Sequence, residues 1–274
     1  DNGISIDGEV QEWFADDTSK RFDAYGWQTL SVDGHDPEAI SEAIKQSISE
    51  ITRPTLIGCK TIIGFGSPKK QGTNGIHGSP LGDDEVAATR EALDWPHAPF
   101  AIPEEIKQAW DGTEQGFIAE SAWKEKLVIY EEEYPELAME LVRRLKGQLP
   151  GYFSAMADEF IAKCQLSDDN IPSRKASQNS IEAYAALLPE LIGGSADLTG
   201  SNLTNWSGSS AISQKADGNY IYYGVREFGM SAIATGMALH GGFIPYTATF
   251  LIFMEYARNA VRMSALMKQQ SIFV

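Results

Sequence analysis

Along the first 63 residues the hydrophobic positions switch between two periods. Short extended runs, "ISID" at 4–7, "QTLSVDG" at 28–34 and "TLIGCKTII" at 55–63, alternate with helical stretches placed over 9–25 and 36–51. That alternation is the mark of βαβ units on a parallel sheet. In the second helical stretch Asp36 stands where an N-cap belongs and Pro37 at the first helical position. Ile40, Ile44, Ile48 and Ile51 then recur at helical spacing and build one apolar face. A long loop, "GFGSPKKQGTNGIHGSPLG", follows the 55–63 strand and carries six glycines between 64 and 82. Loops at the carboxyl ends of strands are where open α/β sheets bind ligands.

From 83 to about 166 the pattern is helical and charged, with turns at "DWPHAPFAIP" and "KGQLPGYF" and a break between two helices at Pro135. A second α/β pattern begins near 174. It predicts a helix over 177–191, a strand over 192–198, a helix from Glu227 to Gly241–Gly242, a strand over 243–249, a helix over 250–269 and the start of another strand at 271–274. Within 227–240, Gly229, Ala232, Gly236 and Ala238 are small enough to let the helix pack closely on a neighbour. The chain opens without Met in a turn-forming "DNG" and stops in an apparent strand, so it reads as a fragment.

Composition narrows the function. A chain of 274 residues with 43% hydrophobic content can fill two domains. No run of 18 apolar residues exists and the N-terminal stretch has no leader pattern, so no membrane partner is expected. A net charge of −16 disfavours nucleic acid and requires that any anionic substrate meet a placed cation. Two cysteines, Cys59 and Cys164, fit a reducing, cytoplasmic setting.

Several residues carry candidate chemistry, each beside an ordinary explanation. Glu227 opens a helix, where the macrodipole alone favours an acid, or it is catalytic. Asp1 or Asn2 with nearby carbonyls offers half of an Mg²⁺ site, although Asn-Gly is first a turn. His77 sits in the Gly-rich loop, within reach of a phosphate or simply solvated; the loop lacks the Gly-Lys-Ser/Thr ending of a P-loop. Arg174 and Ser201 can fork onto a phosphate. Phe250, Phe253 and Tyr256 stand three residues apart, a stripe that at helical spacing belongs to a core.

The order of "DNGISIDG", "GCKTIIGFGS", "GTNGIHGSPLG", "SRKASQNSIEA", "GGSADLTGSNLT" and "NYIYYGVREFGMSAIATGMALHGGFIPYTATFLIFMEYARNAVRMSALMKQ" resembles transketolase across essentially the whole chain. The resemblance implies an α/β fold: two partial thiamine diphosphate-binding domains with parallel sheets flanked by helices, joined by a mostly helical connector. Residues 1–139 resemble the later part of the pyrophosphate-binding domain, 140–170 the connector, and 171–274 the first half of the pyrimidine-binding domain. It implies thiamine diphosphate as cofactor, with Mg²⁺ or Ca²⁺ held by the Asn2 side chain and the Ile4 carbonyl. His77 would stand between cofactor and substrate, Arg174 and Ser201 would hold a sugar phosphate, and Phe250, Phe253 and Tyr256 would enclose the aminopyrimidine ring. Asp197 matches a position near the cofactor, and Glu227 would hydrogen-bond a ring nitrogen of the aminopyrimidine.

The implied reaction moves a two-carbon ketol unit from a ketose phosphate of the xylulose 5-phosphate type to an aldose phosphate such as ribose 5-phosphate or erythrose 4-phosphate. That is the transferase step of the pentose phosphate pathway and the Calvin cycle. The implied assembly is a homodimer with each site between subunits, and the isolated piece is expected to be inactive. Dihydroxyacetone synthase or another thiamine diphosphate enzyme is the alternative.

Overall fold

The computed structural model describes residues 1–274, which divide into two units, Asp1–Asp111 and Gly112–Val274. In the first unit β1 (Ile4–Ser5) and β2 (Gly8–Glu9) form a small antiparallel hairpin with Ile4 opposite Glu9. Gly8, at φ +121°, supplies the backbone conformation of the reversal. The hairpin claims the start of the stretch expected to be helical over 9–25, and the helix there, α1, covers only Thr18–Ala24. Asp17 sets the late start: its carboxylate accepts from the Lys20 amide at 3.0 Å and caps the helix at that point.

Strands β3 (Gln28–Asp33) and β4 (Thr55–Lys60) pair in parallel from Gln28 opposite Thr55 to Asp33 opposite Lys60. Between them α2 runs over Pro37–Ser49, with the Asp36 side chain accepting from the Glu38 and Ala39 amides as the cap motif predicts. Strand β4 stops three residues short of the expected Ile63 because its partner ends at Asp33. The isoleucine face of α2 forms but stays largely uncovered: Ala43 is buried, while Ile48 and Ile51 are 73% and 90% exposed and Ile51 lies beyond the helix end. Two strands span only about 5 Å between their axes, too narrow a floor for the whole face. The Gly-rich loop follows, with one 3₁₀ turn at Asn74–Ile76, and then α3 (Asp83–Ala92) and α4 (Glu104–Trp110).

The second unit opens with α5 (Thr113–Glu133) and α6 (Pro135–Leu145), which meet at Pro135 as expected, and α7 (Phe153–Leu166). Helix α8 runs over Ser173–Ala185, four residues earlier than the expected 177–191. It starts after Pro172 and is over before Pro189, whose ring disfavours a helical residue ahead of it. Strands β5 (Leu191–Ser195), β6 (Tyr220–Tyr222), β7 (Ile244–Thr247) and β8 (Ile272–Phe273) form a parallel sheet in the order β6-β5-β7-β8. β5 is shorter than its expected 192–198 range, and β6 is too short to show a period in the sequence. A single turn, α9 (Thr199–Asn202), follows β5, and α10 (Glu227–His240) lies between β6 and β7. The helix expected over 250–269 divides into a 3₁₀ turn, Leu251–Phe253, and α11 (Met254–Leu266).

The buried face of α10 consists of Glu227, Met230, Ser231, Ala234 and Thr235, at steps of three and four, and α10 packs on α11 where Ala257 and Ala260 are buried. Close packing therefore rests on Ser231, Ala234 and Thr235. It does not rest on Gly236, beside which a Cβ would meet open space, nor on the exposed Ala232.

Two glycines in β5 shape this sheet. A Cβ on Gly193 would lie 2.1 Å from the Tyr246 ring, and one on Gly194 2.3 Å from the Tyr223 ring. Tyr246 can therefore lie flat against the strand and donate its hydroxyl to the Thr204 carbonyl at 2.7 Å. The Thr204 hydroxyl in turn pairs with the Tyr220 hydroxyl at 2.8 Å. Ahead of β5, buried Glu190 meets Arg143 of α6 in a two-pronged ion pair at 2.7 and 3.0 Å, and Glu140 grips the same guanidinium at 2.7 and 2.6 Å.

Gly193→Ala is expected to lower the unfolding free energy by about 1–3 kcal/mol through overpacking against Tyr246, read as a lower denaturant midpoint. Arg143 and Arg144 hold the Glu140 carboxyl at about 2, below its ordinary 4.5. A depressed carboxylate contributes stability above its unfolded value, and that contribution disappears as pH falls from 4.5 towards 2. Denaturation midpoints across that window should fall less steeply for Glu140→Gln than for the parent.

Candidate functional site

Glu227 is the first residue of α10 and is only 8% exposed. The turn before it uses Gly224 at φ +64°, and the Arg226 guanidinium folds back to donate to the Tyr223 carbonyl at 2.8 Å. Arg226 is thereby directed to backbone, and the Glu227 carboxylate makes no hydrogen bond or ion pair within the chain. The buried side-chain atoms that lack a hydrogen-bond partner are Thr247 Oγ1 and Thr249 Oγ1, not the Glu227 oxygens, so its carboxyl opens onto the space beside it and is free to meet a ligand there.

What surrounds it is a cavity of about 410 Å³, lined by Asp197, Glu227, Phe253 and Tyr256 with Ala196, Leu198 and Val225. Four of the residues singled out in the sequence thus come together. Asp197 reaches the cavity from a left-handed backbone conformation, φ 60°, just past the end of β5. Phe250, Phe253 and Tyr256 stack in series, with centroids 6.2 Å apart at each step and interplanar angles of 20° and 30°. They are not a core stripe: Phe250 is 41% and Tyr256 68% exposed. Phe250 precedes the 3₁₀ turn at Leu251–Phe253 and Tyr256 lies in α11, so the three rings do not belong to one continuous helix. Ala196, Leu198 and Val225 were not singled out in the sequence; their only signal was adjacency to Asp197 and Glu227. Burial pushes the phenol of Tyr223, in the same apolar cluster as Ala196, up to about 12, so it stays neutral at any ordinary pH.

Arg174 and Ser201 lie outside that cavity. Arg174 is exposed in the first turn of α8 and Ser201 is exposed in α9. No contact joins them, but α8 is tied to the segment after α9: Gln178 of α8 donates to the Asn205 carbonyl at 3.0 Å, and Glu182 accepts from the Ser207 amide and hydroxyl. Both side chains are free to meet an anion from solvent.

In the first unit Asn2, Ile4 and the end of β4 line a broad cleft of about 1230 Å³. The Asn2 amide oxygen accepts from the Ile4 amide at 2.9 Å, a tight turn that fixes its direction and leaves it a second lone pair. The segment is anchored where Thr61 donates to the Asp1 carbonyl at 3.0 Å and Lys60 pairs with the Asp1 carboxylate at 3.1 Å. His77 is exposed at the end of the 3₁₀ turn, and its ring makes no hydrogen bond. No three His, Cys, Asp or Glu side chains gather to hold a metal, so the oxygens at Asn2 and Ile4 are at most part of a cation's shell.

The family model for the transketolase thiamine diphosphate binding domain matches residues 1–150, and that for the transketolase pyrimidine binding domain matches 169–274. The chain is 64% identical to Transketolase 1 of Pasteurella multocida and 60% identical to Transketolase 1 of Escherichia coli, in each case over all of this chain and 42% of the relative. Among solved structures it superposes on Pichia stipitis transketolase in complex with sedoheptulose 7-phosphate, with TM-score 0.89 and 37% identity, over 100% of this chain and 41% of that one. It also superposes on the Campylobacter jejuni transketolase, with TM-score 0.83 and 32% identity, over 99% and 40%. The chain spans about two-fifths of the length of these relatives and, on the strength of both family models, belongs to the transketolase family.

Proposed function

We propose that this chain is the middle part of a thiamine diphosphate-dependent transketolase, which moves a two-carbon ketol unit from a ketose phosphate to an aldose phosphate. The observation that carries the reading is the unpartnered carboxylate of Glu227, on a residue only 8% exposed, opening onto a cavity walled by Phe253 and Tyr256. Those residues fit an aminopyrimidine: aromatic faces for the ring and one acid for a ring nitrogen. Bound there, thiamine diphosphate supplies the electron sink that breaking a ketose carbon–carbon bond requires. Glu227 holds a proton at the ring nitrogen, Phe250, Phe253 and Tyr256 exclude water, and Asp197 lines the same wall. Asn2 and the Ile4 carbonyl contribute hard oxygen donors to Mg²⁺ or Ca²⁺, which leaves the rest of the shell to diphosphate and other oxygens. His77 faces the reacting end of the sugar, and Arg174 with Ser201 takes its phosphate, the local cation that a chain of charge −16 needs.

In this reading residues 1–139 belong to the pyrophosphate-binding domain, 140–170 to a connector and 171–274 to the pyrimidine-binding domain. The enzyme works as a homodimer in the cytoplasm, with each site built between subunits. No helix is long and apolar enough to cross a membrane.

The test is a full-length protein assayed for thiamine diphosphate-dependent transfer from xylulose 5-phosphate to ribose 5-phosphate. Glu227→Ala should lower kcat by about 10²–10⁴-fold, the usual scale for losing a positioned acid. Unchanged turnover would overturn its role. Chelation should abolish transfer and added Mg²⁺ or Ca²⁺ restore it. Asn2→Ala should raise the metal concentration for half-reactivation about tenfold or more, the scale of one lost charge-assisted contact.

A further inference from the structure

The Gly-rich loop is long enough to wander, and its glycines at 64, 66, 72, 78 and 82 all have positive φ. Nevertheless it is tied down at three places. At its base Glu85, 7% exposed in the first turn of α3, accepts from the Ser67 hydroxyl at 2.5 Å and from the Lys69 amide at 2.8 Å through one carboxylate oxygen. Ser67 is itself 1% exposed, so this contact is shielded from water. Across the loop Lys70 donates its ammonium to the Leu81 carbonyl at 2.8 Å, and the Gly72 amide donates to the Ile63 carbonyl at 2.8 Å. At the tip the side chain of Ile76 sits on Gly64, where a Cβ would come within 2.3 Å of it, and Asn74 donates to the Ile6 carbonyl at 3.2 Å.

The tied residues bracket His77. Ile76 precedes it directly, and the His77 amide donates to the Asn74 carbonyl at 3.1 Å. Ile6, the tip's docking point, is two residues beyond Ile4. A loop closed at its base by a buried carboxylate and docked at its tip on the β1–β2 turn gives its one histidine a fixed place. The same loop with the base released would keep the histidine and lose the place. Ser67 and Lys69 hold the Glu85 carboxyl below the usual range, so it is an anion that accepts both bonds throughout the neutral region.

We propose that Glu85 is a positioning residue for His77, acting through Ser67 and Lys69 to fix the loop that presents the histidine to the sugar. This rests on the role of His77 in the proposed transfer reaction. It assigns Glu85 no contact with substrate or cofactor, so its effect must pass through His77.

A double-mutant cycle in the full-length holoenzyme separates that from a general structural role. Glu85→Ala is expected to lower kcat for two-carbon transfer about tenfold or more in the parent, the scale of a small misplacement of a reacting group. In a His77→Ala background the same change should cost less than about twofold. Glu85→Gln, whose amide oxygen can accept the same two bonds, should restore kcat to within about threefold of the parent. Should Glu85→Ala fail to fold, Ser67→Ala removes one of the two donors and is read through the same cycle. Equal losses with and without His77, or no loss in the parent, overturn the proposal. A parent that shows no thiamine diphosphate-dependent transfer instead overturns the functional reading on which it stands.

Discussion

The second unit depends on how close two tyrosine rings come to the central strand β5. Gly193 and Gly194 carry no side chain, so Tyr246 from the neighbouring strand and Tyr223 from the end of β6 occupy the space where side chains would otherwise stand. Buried phenols need partners, and Tyr246 and Tyr220 find theirs in Thr204, two residues past the end of α9. One packing constraint thus fixes the sheet, the exit of the chain from α9 to Thr204 and, through Tyr223, the turn that aims Glu227. Adding a methyl at Gly193 disturbs the sheet and the Thr204 contact through Tyr246, and one at Gly194 disturbs the turn through Tyr223, because protein interiors transmit small volume changes rather than absorb them.

Helix α6 is joined to the sheet by charge, whereas Phe153 of α7 and Ile181 and Ala185 of α8 belong to the apolar cluster around Leu191, Tyr220 and Tyr246. All five N–H donors of Arg143 are occupied, by Glu140, Glu190 and the Gln148 carbonyl. A guanidinium suits this position because its planar fork matches two carboxylates at once, which a lysine ammonium cannot do. The Glu190 carbonyl also accepts from the Ile244 amide at 2.9 Å, so the residue that receives Arg143 sits at the start of two paired strands. Removing Arg143 would leave the Glu190 carboxylate buried without a partner, and a half-broken buried pair costs more than the pair was worth.

The first unit has a different economy. Its two-stranded parallel sheet covers little apolar area, and it keeps its order through local polar closure: the Asp36 cap, the Asn2 turn, the Asp1 anchors to Thr61 and Lys60, and the Glu85 staple. Such contacts fix where a loop goes without requiring a deep core. They also explain how a stretch rich in positive-φ glycines holds a defined course: glycine permits the turns, and the polar ties select among them.

Much of this was legible along the chain. Asp36-Pro37, Pro135 and the Gly241–Gly242 stop placed helix ends correctly because capping and proline chemistry act within one turn. The failures were non-local. β4 ended early because its partner did, the isoleucine face of α2 formed without a cover, and Phe250 and Tyr256 stand exposed on a segment split between a 3₁₀ turn and α11. The site divides along the same line. Glu227, Asp197, Phe253 and Tyr256 were each visible as residue types, and family likeness gave them roles, but nothing in their spacing said that they share a cavity. By itself the sequence determined the α/β alternation, the helix boundaries set by caps and prolines, and the family. Only the tertiary structure decided that Glu227 opens onto a cavity beside Asp197, Phe253 and Tyr256, and that Glu85 reaches back to Ser67. Both follow from contacts between residues distant along the chain, whose free energy depends on the position of the partner and not on its identity alone.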